Sequence, residues 1–265
     1  MIPTRLHPLI AKLRTLGARP LSMAEDAADV MEVHPEEKGI APPVFMLERD
    51  REKVVAAQHE TTLEAEWRRI RGGEVLHMAT TRYVFRDVLA TPFGFYTLRA
   101  GHQLSGQASL SKLFGLGLRR LRKGYFGQPA IAAAYFGHWL KDALPATLLA
   151  RPDEALYLPR PEGWPHAEAY ADRLGAGPLA DDLVHFDEMS YCVDIGMNAH
   201  RRRRVREIYE RVQAQCAQSG AKGLYIARGG TGARRLLANE DELVDALQAR
   251  GFVTVSTADP LETIW

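Results

Sequence analysis

At 265 residues, with 46% hydrophobic and 8% aromatic content, the chain has the size and composition of a soluble globular protein of one large or two modest domains that buries its own core. Its 34 Lys and Arg against 33 Asp and Glu leave a formal charge of +1, so global charge speaks for neither a nucleic-acid nor an anionic-membrane partner. Cys192 and Cys216 have neither CxxC spacing nor a neighbouring His/Cys ligand set, which argues against a disulfide scaffold and a zinc site and suits a reducing compartment.

In chain order, "MIPTRLHPLIAKLRTLG" lacks the long apolar run and small-residue cleavage site of a secretory signal, and no later window holds about 18 apolar residues. The expected location is cytoplasmic. "HPEEKGIAPP" (34–43) has the charge, glycine and paired prolines of a loop or arm, and "TTLEAEWRRI" (61–70) reads as a short helix. Residues 1–72 are therefore expected as an arm and helix, partly loop-like. "EVLHMA", "RYVFRDVL" and "FGFYTLRAG" read as three short strands paired in a meander. "SLSKLFGLGLRRLRKGYFG" (109–127), basic and interrupted by glycine, reads either as a solvated loop-helix or as a patch facing an anionic or membrane-bound substrate.

From residue 130 helices and strands alternate. Helices at "GHWLKDALPATLLA", "WPHAEAYADRLG", "AHRRRRVREIYERVQAQCAQSG" and "NEDELVDALQARG" are followed by strands at "EALYLP", "DLVHFD", "GLYIAR" and "FVTVST". Such βα repetition builds parallel, helix-covered sheets. The boundaries expected are a first lobe over 73–219 and a second over 220–265. "ADPLETIW" (258–265), with Asp259, Pro260 and Glu262, carries the signals of a helix start.

Three stretches could carry chemistry. In "YFGHWLKDALP" (135–145), His138 and Asp142 lie four apart on one helix face, where a carboxylate can orient an imidazole acting as general base; the alternative is a surface pair without a task. Two ligands without a third make a poor metal site. In "YIARGGTGARRLLANEDEL" (225–243), a strand runs into Arg228, a Gly-Gly-Thr-Gly turn, Arg234 and Arg235, then Asn239 as N-cap with Glu242 as capping-box partner. Exposed backbone N–H groups, arginines and a helix start together make a diphosphate cradle; the alternative is a βα turn with solvated arginines. The loop is neither Walker A nor GxGxxG. "RRRR" (201–204) continues into an amphipathic helix with Val205, Ile208 and Val212 on one stripe, and reads as a solvated face rather than a nucleic-acid patch.

The ordered set of "YFGHWLKDALPATLL", "LYLPRPEGWPHAEAYADRLG" and "LYIARGGTGARRLLANEDELVDALQARGFVTV" resembles glycosyltransferase family 61 over roughly residues 74–265. The resemblance implies an α/β, GT-B-like architecture of two Rossmann-like lobes, the first preceded by a short β meander. It implies inverting transfer from a nucleotide-sugar donor to a capsular, exopolysaccharide or other glycan acceptor, with no metal or other cofactor. His138 would be the general base and Asp142 its orienter; Arg228 and Arg235, with Arg234 beside them, would neutralise the donor diphosphate, and Asn239 and Glu240 would fix the helix start. The family's later apolar strand and Gly-x-His-Gly-Ala turn have no matching position, so an incomplete second lobe is expected, and with it the alternative of a catalytically incomplete relative, either a truncated product or a binding protein. No nucleic-acid partner is expected; peripheral membrane contact through 109–127 is.

Overall fold

The computed structural model describes residues 4–14, 19–59, 61–106, 109–113, 115–161, 164, 166–215, 221–227 and 237–256. Its strands are β1 (Asp29–His34), β2 (Glu37–Ala41), β3 (Gly73–His77), β4 (Thr80–Thr91), β5 (Gly94–Tyr96), β6 (Gly101–His102), β7 (Leu118–Phe126), β8 (Ala155–Pro159), β9 (Leu179–Ala180), β10 (Leu183–Val193), β11 (Gly223–Ala227) and β12 (Phe252–Ser256). Together with the helices they make a mixed α/β fold.

The main sheet runs β6-β5-β4-β10-β7-β8-β9, with β1 added to the first half of β4. β4 and β10, both long and rich in β-branched and aromatic residues, pair antiparallel from Val184↔Ala90 to Val193↔Thr81 at its centre. β10, β7, β8 and β9 run parallel. Only Asp181 and Asp182 join β9 to β10, a reach of about 11 Å, whereas three spacings of a flat sheet come to about 14 Å. The sheet must therefore curl, and Tyr157 Oη of β8 donates across the curl to Asp182 O at 2.6 Å. Inside lie Phe85, Phe95, Phe126, Tyr157 and Phe186, all at most 2% exposed, with Phe95–Phe126 centroids 5.2 Å apart. Such tilted ring pairs add about 0.5–1.5 kcal/mol each beyond their buried area.

A second core sits under the helices Ala167–Leu174 and Ala199–Gln213 and the helical segment from Phe136 to Thr147, around Trp139, Leu144, Leu158, Leu174 and Ile208. The Ala167–Leu174 helix ends at Gly175 with φ 66°, a left-handed position that glycine takes without a Cβ clash, and Ala176 N–H then closes the end on Ala171 O at 2.9 Å.

Three expectations need correction. The segment 109–127 is a helical turn, Leu110–Leu113, and loop at 115–117 only in its first part: its basic half is β7, an interior strand between β10 and β8. Its charges are tolerated because the first half of the strand is exposed, with Lys123 2.6 Å from Asp153 and Arg119 paired with Asp182, while Gly124, Tyr125 and Phe126 are buried. The stretch read as a loop at 34–43 contains β2, and β3 pairs with it rather than opening a meander. Gly72, at φ 70°, sets this up by passing so close to Ala41 and Pro42 that a Cβ would lie 2.4 Å from Ala41 O. The meander itself exists as β4, β5 and β6.

The Leu63–Arg71 helix, capped by Thr62, forms where expected, as do the four helices after residue 130. β11 and β12 pair parallel, joined through the Glu240–Gln248 helix, as a separate two-stranded unit. The helix-start signals at 259–262 lie outside the described residues. Among the described residues no helix is long and apolar enough to cross a membrane.

Candidate active site

β7 and β10 are adjacent and parallel, and the residues just past their carboxyl ends, Gly127 and Asp194, both line a cavity of about 290 Å³. The carboxyl ends of parallel strands are where open α/β sheets place ligands. Its far wall is the helical segment from Phe136 to Thr147, which contributes His138, Lys141 and Asp142.

That segment is not regular. Phe136–His138 and Leu144–Thr147 are α, but Trp139–Ala143 between them is a π turn, in which Leu144 N–H bonds Trp139 O five residues back. Pro145 is the local cause: it has no N–H to give the carbonyl of Lys141, four residues earlier, so the α ladder cannot run through. Arg201 Nη2 approaches that carbonyl at 3.5 Å instead.

On the segment His138 Nδ1 lies 2.5 Å from Asp142 Oδ2. The second carboxylate oxygen of Asp142 accepts from Arg201 Nη2, and Arg201 Nη1 donates to Asp194 O. Arg201 is only 3% exposed, Asp142 is mostly buried, and the His138 side chain is 43% exposed at the cavity. With Asp142 at Nδ1, the neutral ring carries its proton there and leaves the Nε2 lone pair free to take another. No hydrogen bond engages Nε2 among the described residues.

The Arg201 side is fixed by the turn between β10 and the Ala199–Gln213 helix. Asn198 caps that helix by accepting from Arg201 N at 3.0 Å, and its amide donates to Met78 O at 3.1 Å and Thr80 Oγ1 at 3.3 Å. Thr80 donates to Asp194 Oδ1 at 2.6 Å, and Arg204 meets the same carboxylate at 2.7 and 2.8 Å. Gly196 allows the turn to lie against Met78: a Cβ there would be 2.2 Å from Met78 O and 2.4 Å from its N.

Two cavity groups are chemically quiet. Burial pushes the Cys192 thiol up to about 11, which keeps it protonated at neutral pH and unsuited to nucleophilic work, and burial also raises Tyr191. Among the described residues no group of three or more His, Cys, Asp or Glu could hold a metal ion.

The geometry thus unites His138 and Asp142. Arg228, Arg234 and Arg235 lie outside the described residues. Asn239 does stand at the helix N-cap, but at φ −118° and ψ 40° with no side-chain cap bond, so the expected capping box with Glu242 is absent. The helix start is tied instead by Tyr225 Oη donating to Glu240 at 2.8 Å. Neither Asn239 nor Glu240 lines the cavity at His138.

The reading of "RRRR" as a solvated face needs correction as well: Arg201 and Arg204 are buried at 3% and 7%, while Arg202 pairs outside with Glu37 at 2.7 Å. The missed group is Arg201. Its signal was the Asn198 cap followed by arginines at 201 and 204, three apart and hence on one face, beyond a strand that ends just before Asp194.

Residues 136–263 match the family model described as Glycosyltransferase 61. The match begins at the first residue of the helical segment that carries His138 and takes in Asp142, Asp194 and Arg201. No curated protein and no solved structure matches the chain.

Proposed function

For a chain whose residues 136–263 match the glycosyltransferase 61 family model, we propose transfer of a sugar, with inversion at the anomeric carbon, from a nucleotide-sugar donor to a hydroxyl of a polysaccharide or other glycan. The observation that carries this reading is the His138–Asp142–Arg201 row: Nδ1 sits 2.5 Å from a carboxylate whose other oxygen is held by a buried guanidinium, at the wall of a cavity.

In the proposed reaction Nε2 of His138 takes the proton of the acceptor hydroxyl as its oxygen attacks the anomeric carbon. The carbon–oxygen bond to the diphosphate breaks, and the nucleoside diphosphate leaves with the electron pair. Asp142 holds the ring in the required tautomer and stabilises the imidazolium that forms. Arg201 holds Asp142 in place. The negative charge on the departing diphosphate calls for cations, the role proposed for Arg228, Arg235 and Arg234, with Asn239 and Glu240 at the helix start beside them. We further assign a GT-B-like division into lobes, a cytoplasmic location and contact with the membrane through the exposed basic part of 109–127.

The test is a panel of nucleotide sugars, followed for binding, hydrolysis and transfer, with the anomeric configuration of the product read by proton NMR. Turnover of at least one donor with inverted configuration is expected. Retention of configuration, or no binding to any donor at millimolar concentration, contradicts the proposal.

A further inference from the structure

We propose that a second cavity, of about 730 Å³, is a subsite for a neutral oligosaccharide. Its identification as the acceptor end of the reaction rests on the glycosyltransferase reading above; its sugar chemistry does not. The cavity is more than twice the size of the one at His138 and falls within the range of small-molecule sites, roughly 300–1,000 Å³. The two flank one short turn, Ala130–Ala133: Ile131 lines the smaller and Ala133 the larger.

A pyranose ring offers a C–H face that packs on an aromatic ring and a rim of hydroxyls that both donate and accept. The cavity supplies both kinds of partner. Phe93 and Trp164 are its aromatic surfaces, both half-buried. Trp164 is held by edge contacts to Phe136, at 5.7 Å and 74°, and to Trp139, at 6.3 Å and 63°. It is therefore a rigid platform, and the residues bracing it flank His138 in sequence.

The polar groups stand around that platform. Arg160, directly after β8, is 2.7 Å from Glu168 and 3.5 Å from Asp181, and Lys112 lies 5.1 Å from the Phe93 ring centre. Two cations against two carboxylates sum to zero. A site for a diphosphate or an acidic sugar needs uncompensated cations; this one presents carboxylate acceptors and a guanidinium donor, the set that suits hydroxyl groups. Arg160, Trp164 and Glu168 all come from "LYLPRPEGWPHAEAYADRLG", the stretch that lies between the His138 and Arg228 segments and that the chemistry at His138 does not use.

The experiment screens the full chain against an array of neutral and acidic oligosaccharides. It then measures the best neutral binder by calorimetry on the wild-type chain, Trp164→Ala, Asp181→Asn and, as a distant control, Glu48→Gln. The proposal expects neutral glycans to bind, both cavity variants to weaken binding roughly tenfold, and the control to change nothing. Asp181 is 73% exposed, so its variant tests the site without disturbing the core that Trp164 touches. Retention of acidic glycans only, of none, or neutral binding within about twofold of wild type in both cavity variants overturns the assignment. Donor binding measured on the same preparation separates the two readings. Glycan binding through Trp164 without any donor binding removes the transferase and keeps the subsite; donor turnover without glycan binding removes the subsite alone.

Discussion

Arg201 and His138 share one carboxylate, and the way they share it sets what each substitution does. Arg201 is buried and gives both terminal nitrogens to the site, one to Asp142 and one to the backbone of Asp194. Removing one member of a buried charged set leaves the other desolvated and unpaired, at a cost of about 3–5 kcal/mol. Because the Asp142 side chain keeps 18% exposure, Arg201→Ala is expected at the low end, about 3 kcal/mol, read from urea denaturation. A loss under about 0.5 kcal/mol would show that the guanidinium does not hold Asp142. His138 and Asp142 were legible in the sequence, since i, i+4 spacing on a helix places two side chains together whatever surrounds them. Arg201 was not, because its role depends on Asp142, 59 residues earlier, and a run of four arginines looks the same whether two or none of them face inward.

At the scale of elements, the site stands on a tight turn and on a strand docked beside it. Gly196→Ala is expected to cost about 1–3 kcal/mol, because the new methyl meets the backbone of Met78 rather than a side chain that can swing away. Asp194 and Asn198 sit on the same turn, so the variant should also lose activity beyond its loss of stability; thermal melts and turnover together check this, and a variant matching wild type in both would contradict it. β1 carries a pH-sensitive contact: His34 stacks flat on His200, with centroids 4.0 Å apart and 4° between planes. Burial, then the neighbouring His200 and Arg204, hold His34 below the ordinary histidine value of 6.5, with Asp194 opposing. The fold therefore favours the neutral ring. Its contribution is present above 6.5 and is lost as pH falls through the lower, folded value. NMR titration of His34 should give a midpoint below 6.5, with amide exchange in β1 quickening over the same range; a midpoint above 6.5 refutes the account. The strand β7 shows why element type was misread in places: charge made 118–123 look like loop, although a strand exposed over half its length carries paired charges at little cost.

For the whole molecule, the alternation after residue 130 foretold parallel strands covered by helices, because hydrophobic period and turn chemistry are local and visible. The insertion of β10 between β4 and β7 and the β2–β3 ribbon were not legible, since each depends on partners more than 30 residues away, and the curl of the sheet was not, since it follows from that strand order. The same holds for the larger cavity, which collects residues from 92 to 181. What results is a scaffold with two cavities on either side of one turn, the smaller holding the candidate base. The most direct measurement is the transfer rate of His138→Ala with a donor that the wild-type chain uses, alongside the donor dissociation constant. Loss of a positioned general base is expected to lower the rate by about 10²–10⁴ while leaving donor affinity within about twofold; a variant that transfers sugar within about threefold of the wild-type rate would show that His138 is not the base.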